Sequence, residues 1–175
     1  MPAPESALVV LVPEAESLVK PFRDLYDPSA ALGVPAHVTL LFPFKPPAEM
    51  TSAVIDGLRQ CFAGLPAFDF VLASASRFPA TLYLAPEPVE PFRQLTLAIC
   101  KQHPETPPYA GRHPDIVPHL SLADRLDATT LDRVESEFAQ AARDRLPIRA
   151  RATSIALLEN LTGGWQTRLT LPLGT

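Results

Sequence analysis

Two short phrases in this sequence carry residue types that can do chemistry together. His37-Val38-Thr39-Leu40 and His119-Leu120-Ser121-Leu122 each read histidine, apolar residue, hydroxyl residue, leucine, with proline just upstream at Pro35 and Pro118. Imidazole titrates near neutral pH, so one ring can accept a proton while the other donates one. Hydroxyl groups can hydrogen-bond to oxygens on which negative charge collects. Two of each suffice for acid–base chemistry on a phosphate without metal or cofactor, provided the two phrases face each other.

Side chains alternate across a strand. In the first phrase His37, Thr39 and Leu41 are expected on one face, with Val38, Leu40 and Phe42 on the other. In the second, His119 and Ser121 oppose Leu120 and Leu122. Each strand then presents an imidazole and a hydroxyl together and is anchored by apolar residues behind.

The surrounding pattern supplies such strands. Ala7–Val12 is an apolar run closed by Pro13, and residues 34–42 form the first histidine strand. Between them Leu18, Phe22, Leu25 and Tyr26 recur at helical spacing, and Asp27-Pro28 ends that helix. Met50, Val54, Leu58 and Cys61 mark a second helix, followed by a strand over Phe68–Ser76. The order then repeats. A strand at Thr81–Ala85 precedes a helix marked by Val89, Phe92, Leu95 and Ile99. Next come the second histidine strand, Val117–Leu122, and a helix marked by Leu131, Val134 and Phe138 with Asp127 as N-cap. Ile148–Leu158 and Trp165–Leu171 read as closing strands joined through Gly163-Gly164.

Local echoes support a duplication: LVVLVPE returns as LYLAPE, and Pro21-Phe22-Arg23 returns as Pro91-Phe92-Arg93. The expected fold is one α+β domain over residues 1–175, built of two pseudo-symmetric β-α-β-α-β lobes. Their sheets flank a central cleft and their helices lie outside. The halves divide near residues 1–78 and 79–175, with strand exchange between them allowed.

Composition narrows the partners. With 47% hydrophobic and 19% charged residues the chain is globular, and a net charge of −4 leaves no basic surface for a long polyanion. The expected partner is a small nucleotide or an RNA terminus, with no extended nucleic-acid groove. Cys61 and Cys100 lack CxxC spacing and point to a reducing, cytoplasmic setting. The opening MPAPESALVVLVPE lacks the basic region of a signal peptide, and no apolar run approaches the ~20 residues of a membrane span.

Other residues are candidates for contacting substrate. The proline-rich loop HPETPPYAGRHPDIV, just before the second phrase, offers Tyr109, Arg112 and His113 as a cover. Tyr83 and Trp165 are strand aromatics that could line the cleft. Arg77 and Arg168, flanked by strand segments, could bind phosphate, as could Arg125. Phe42 and Phe44 are expected to pack in the core. His113, Asp115 and His119 form an alternative metal triad, although their spacing matches no common site.

HVTLLFPF and VPHLSLAD resemble the paired His-x-Thr/Ser signatures of the 2H phosphoesterase superfamily, which includes 2′-5′ RNA ligase-like proteins and 2′,3′-cyclic phosphodiesterases. The resemblance spans nearly the whole chain. The stretch from Gly111 through Ala123 and the segment RFPATLYLAP also resemble a bacterial branch of that family. It implies a metal-independent phosphoesterase that hydrolyses, or reversibly forms, 2′,3′-cyclic phosphate or 2′-5′ phosphodiester bonds at RNA ends or in small nucleotides. His119 would be the base activating water, His37 the acid protonating the departing 3′ oxygen, and Thr39 and Ser121 would bind the phosphate. No metal, cofactor or membrane is expected, and the chain is expected to be a monomer. Two other readings remain open at this point. One is a non-catalytic module that binds a nucleotide or RNA terminus. The other is a metal-dependent hydrolase using His113, Asp115 and His119.

Overall fold

The computed structural model describes residues 3–113 and 115–175. Eight strands and five helices follow in the order β1 (Glu5–Leu11), α1 (Glu16–Tyr26), α2 (Pro28–Ala31), β2 (His37–Leu41), α3 (Ser52–Ala63), β3 (Phe68–Phe78), β4 (Thr81–Glu87), α4 (Glu90–Gln102), β5 (Leu120–Ala123), α5 (Ala128–Ala142), β6 (Ile148–Ala152), β7 (Ser154–Asn160) and β8 (Trp165–Pro172). They form an α+β fold of two antiparallel four-stranded sheets, ordered β2-β1-β7-β8 and β5-β4-β3-β6. Each motif strand is the edge strand of its own sheet. Among the described residues no helix is long and apolar enough to cross a membrane.

The two sheets are not the two halves of the sequence. A division after residue 78 falls in the turn between β3 and β4, which pair with each other. The first sheet instead takes β1 and β2 from one end of the chain and β7 and β8 from the other. The switch occurs at Thr153, where the single strand expected over Ile148–Leu158 breaks in two. Burial explains the break. In β6, Ile148, Ala150 and Ala152 alternate with exposed arginines, as an edge strand with one wet face should. In β7, Ile155 through Asn160 are buried without interruption, because β1 and β8 flank it on both sides.

The helices cross over as well. α1 packs against β5 and α5, whereas α4 packs against β2 and α3. One apolar cluster runs beneath both sheets and takes Leu18 and Val19 of α1, Leu58 and Phe62 of α3, Phe92, Leu95 and Ile99 of α4, and Leu131, Val134 and Phe138 of α5. Phe92 is fully buried with its ring edge-on to Phe68 and Phe70, both at 5.0 Å, and Phe22 meets Phe138 at 5.3 Å. Such pairs add about 0.5–1.5 kcal/mol each beyond area burial. Asp127 caps α5 by accepting from the Thr130 N–H at 2.9 Å, as its position before the helix predicts.

Candidate active site

The two histidines are held in the same way. The Nδ1 of His37 lies 2.7 Å from the Pro35 carbonyl oxygen, and the Nδ1 of His119 lies 2.7 Å from the Val117 carbonyl oxygen. A carbonyl only accepts, so each Nδ1 must carry the proton and donate it. That leaves Nε2 of each ring free of the carbonyl: a proton acceptor when the ring is neutral, a donor when it is charged. His119 sits just before β5, whose ladder begins at Leu120 and not at Val117, because Pro118 has no N–H to contribute.

The hydroxyls follow. Thr39 pairs with Val9 of β1, and Ser121 pairs with Tyr83 of β4. Strands β2 and β5 contact each other, and the His119 charge bears on His37. Both phrases thus converge at the junction of the sheets.

Each phrase ends in a β-bulge at its leucine. Leu8 pairs with Leu41 and Val9 with Thr39, so Leu40 has no partner; Leu82 pairs with Ala123 and Tyr83 with Ser121, so Leu122 has none. The extra residue breaks the two-residue alternation. Leu40 and Leu41 are therefore both buried in the main core, as are Leu122 and Ala123. This corrects the expected faces. Leu41 turns away from His37, and Phe42 comes round to join Val9, Val34, Leu11 and Trp165 in an apolar wall on the site's side of the first sheet. The rings of Phe42 and Trp165 meet edge-on at 5.8 Å. Trp165 is pinned by its N–H to the Leu32 carbonyl at 2.8 Å, beside Gly33, whose φ of +92° and close approach to the Trp165 carbonyl disfavour any side chain.

The second wall is aromatic. Tyr83 lies 5.4 Å from the His119 ring and 4.4 Å from Phe78, and Phe78 meets His119 edge-on at 5.1 Å. Sequence reasoning missed Phe78, although it is the second residue of the segment RFPATLYLAP. It also missed Asp124, which accepts from the Thr81 hydroxyl at 2.6 Å and favours charge on His119. Phe44, expected in the core, is buried there with its ring 5.2 Å from that of His103.

The loop before β5 reaches the site. Tyr109, Ala110 and Gly111 have φ of 51°, 54° and 74°, a left-handed run that costs a non-glycine residue about 1–2 kcal/mol each. The Tyr109 N–H donates to the Phe42 carbonyl at 2.6 Å and holds that run in place. Burial pushes the Tyr109 phenol up, and hydrogen bonding with Thr39 partly offsets this, so the two hydroxyls are neighbours. His113 lies 5.5 Å from the Tyr109 ring, and both it and Arg112 are exposed. His113, Asp115 and His119 do not form a group that could hold a metal, and neither does any other set among the described residues.

Two predicted phosphate ligands point elsewhere. Arg77 pairs with Asp132 at 2.6 Å and Glu135 at 3.0 Å on α5, behind the second sheet. A bulge at Ala73 causes this, because it reverses the alternation along β3. Arg168 is itself a bulge residue, opposite the step from Leu157 to Leu158, and binds buried Glu159 at 2.5 Å. Arg125 lies at the surface, its side chain 81% exposed.

Burial lowers the His37 pKa to about 4; the Pro35 carbonyl opposes this and the Arg23 charge adds to it. Burial also lowers His119, with the Val117 carbonyl and Asp124 opposing it. Both rings are thus neutral at pH 7 in the free protein, while acid–base catalysis needs one of them charged. We expect kcat/KM, which reads the free protein, to peak below pH 6.5. A bound anion raises both pKa values, so kcat should peak at higher pH than kcat/KM. Coincident profiles centred above pH 7 would contradict this account.

The model of the 2′-5′ RNA ligase superfamily matches residues 11–164. The chain belongs to that superfamily. A Bacillus licheniformis protein provisionally assigned as a phosphoesterase is 30% identical over 127 residues, which is 67% of this chain and 70% of the relative. Among solved structures, Escherichia coli LigT complexed with 3′-AMP superposes with a TM-score of 0.62 at 16% identity, covering 98% of both chains. TT0787 of Thermus thermophilus superposes with a TM-score of 0.63 at 17% identity, covering 97% of both. At such identities the superpositions speak to the fold.

Proposed function

We propose that this superfamily member is a metal-independent phosphoesterase acting on 2′,3′-cyclic phosphates or 2′-5′ diesters, at an RNA end or in a small nucleotide. The observation that carries the reading is the matched pair of histidines, each anchored through Nδ1 on a carbonyl two residues upstream, with Nε2 left to react. In this reading His119 Nε2 takes a proton from water as the water oxygen bonds to phosphorus. His37 Nε2–H gives its proton to the 3′ oxygen as the phosphorus–oxygen bond to it breaks. The product is a 2′-phosphate, and the two rings have exchanged protonation states. In the ligation direction a 5′-hydroxyl stands in place of water and the rings keep these roles; they exchange them in cleavage of a 2′-5′ diester, where the 3′-hydroxyl attacks phosphorus and the 5′ oxygen leaves. Thr39 and Ser121 donate to the non-bridging oxygens, where charge accumulates.

The charge of the site supports a diester. Arg77 and Arg168 are engaged behind the sheets, and Arg23 is paired with Asp27. A diester carries one negative charge, which neutral hydroxyls and one imidazolium can meet; a monoester dianion would call for more cations. Phe42, Trp165 and Val34 offer an apolar wall suited to a base. LigT has been solved with 3′-AMP, ATP and NADP+, which fits a small-nucleotide ligand for this chain as well. The same reading has the chain act as a cytoplasmic monomer, one working unit over residues 1–175, without a cofactor.

The test is turnover of 2′,3′-cyclic AMP with EDTA present. We expect a 2′-phosphate product and an undiminished rate. Loss of activity on chelation would favour a metal mechanism, and tight nucleotide binding without product would favour a binding module.

A further inference from the structure

The repeated tripeptide Pro-Phe-Arg has a counterpart in space. Arg23, in α1, donates through Nη2 to the Val34 carbonyl at 3.0 Å. Arg93, in α4, donates through Nε to the Ile116 carbonyl at 3.0 Å. Val34 and Ile116 stand three residues before His37 and His119, and each is followed at once by the residue whose carbonyl accepts the histidine Nδ1 proton. The same arginine-to-carbonyl contact therefore occurs at the same place in both halves, next to the peptide that orients the imidazole.

We propose that Arg23 and Arg93 are positioning residues for the two histidines. Each clamps the short segment leading into its motif strand, so that the carbonyls of Pro35 and Val117 stay where they fix the Nδ1–H tautomer and leave Nε2 to react. This rests on the functional reading given above.

The surrounding packing suits that task. The phenylalanine of each tripeptide nails its helix in place: Phe92 is fully buried against Phe68 and Phe70, and Phe22 packs on Phe138. Because α1 packs on β5 and α4 on β2, each arginine reaches from a helix seated under one motif strand to the approach of the other. The guanidinium fork has several donors in a fixed plane, which a point charge lacks. Arg23 uses two arms of its fork, Nε on Asp27 at 2.9 Å and Nη2 on both the Ser29 hydroxyl at 3.1 Å and the Val34 carbonyl. Arg93 is half-buried and makes no ion pair among the described residues, so its bond to Ile116 stands alone.

That difference decides which residue to test. Removing Arg23 would strand the buried Asp27 carboxylate and threaten folding. Arg93→Met keeps the aliphatic stem and removes only the donors. We expect kcat for 2′,3′-cyclic AMP to fall about tenfold with KM changed less than about threefold, since the clamp acts on a reacting group and not on substrate binding. Arg93→Lys should recover part of the loss, because the ammonium can still donate to the carbonyl. The decisive readout is independent of turnover: imidazole nitrogen shifts at pH 8, where His119 is neutral. The wild-type protein should show His119 as the Nδ1–H tautomer, and Arg93→Met should raise the Nε2–H share, with His37 unchanged. An unaltered His119 tautomer in Arg93→Met would overturn the proposal, whatever happens to the rate. A tautomer shift in a protein whose wild type does not turn over cyclic nucleotides would uphold the clamp and reject the functional reading. Arg23→Lys, which keeps a cation for Asp27 but loses the fork, should affect His37 in the same way.

Discussion

His37→Ala and His119→Ala should each lower kcat for 2′,3′-cyclic AMP by about 10²–10⁴-fold, the range a positioned acid or base contributes. The double variant should be hardly worse than either single one. The two rings act as a unit: the water cannot be deprotonated usefully if the leaving oxygen is not protonated, and such units are strongly non-additive. Folding should survive, because both rings are half-buried at the junction of the sheets while the apolar residues beside them, Val38 and Leu120, carry the packing. The check is single-turnover kinetics on the three variants with thermal melts alongside. Activity retained in either single variant, in a protein that melts normally, would remove that histidine from the chemistry.

The hydroxyls should matter next. Thr39→Val and Ser121→Ala each remove one donor aimed at oxygens that gain charge. The expected loss is on the order of 10²-fold in kcat, or about 2.7 kcal/mol. The two losses should differ. The Tyr109 hydroxyl lies beside Thr39 and remains there in Thr39→Val, where it can take up part of the donation. Thr39→Val should therefore be the milder variant, and adding Tyr109→Phe should bring it to the level of Ser121→Ala. If Thr39→Val is the more damaging of the two, Tyr109 does not reach the phosphate.

Both expectations depend on facts that stand at different distances from the sequence. The pairing of imidazole with hydroxyl two residues on is legible at once, because strand alternation is a local property and no bulge intervenes between His37 and Thr39 or between His119 and Ser121. The Asp127 cap and the helix stop at Asp27-Pro28 are legible for the same reason, since each is decided within one turn of chain. The duplication was visible as a repeated order of elements. Its strand partners were not, because pairing joins residues far apart in the chain, and Thr153 gives no local sign that the backbone passes there from one sheet to the other.

Leu40, Ala73, Leu122 and Arg168 are each an extra residue in their ladder. A bulge moves every later side chain to the opposite face, so alternation counted through it gives the wrong side. Past the bulges, Phe42 packs with Trp165 against the smaller apolar cluster of the first sheet, on the face opposite the one alternation gives, and Arg77 meets Asp132 and Glu135 on α5. Phe78 escaped notice for a related reason: its contact with His119 is made across β4 and β5, and nothing near residue 78 in the chain points to it.

The amino-acid sequence by itself determined which groups are candidates to react: two imidazoles whose ordinary pKa is near neutral, each with a hydroxyl on the same face of a strand, in a chain too acidic to follow a long polyanion. Those are properties of residue type and of spacing over a few positions. The tertiary structure alone decided what surrounds them. Bulges turned Phe42 toward the site and Arg77 away from it, the Tyr109 loop brought a third hydroxyl to Thr39, and burial drew both histidine pKa values down. Each of these depends on which distant segment ends up beside which, and only the folded chain sets that.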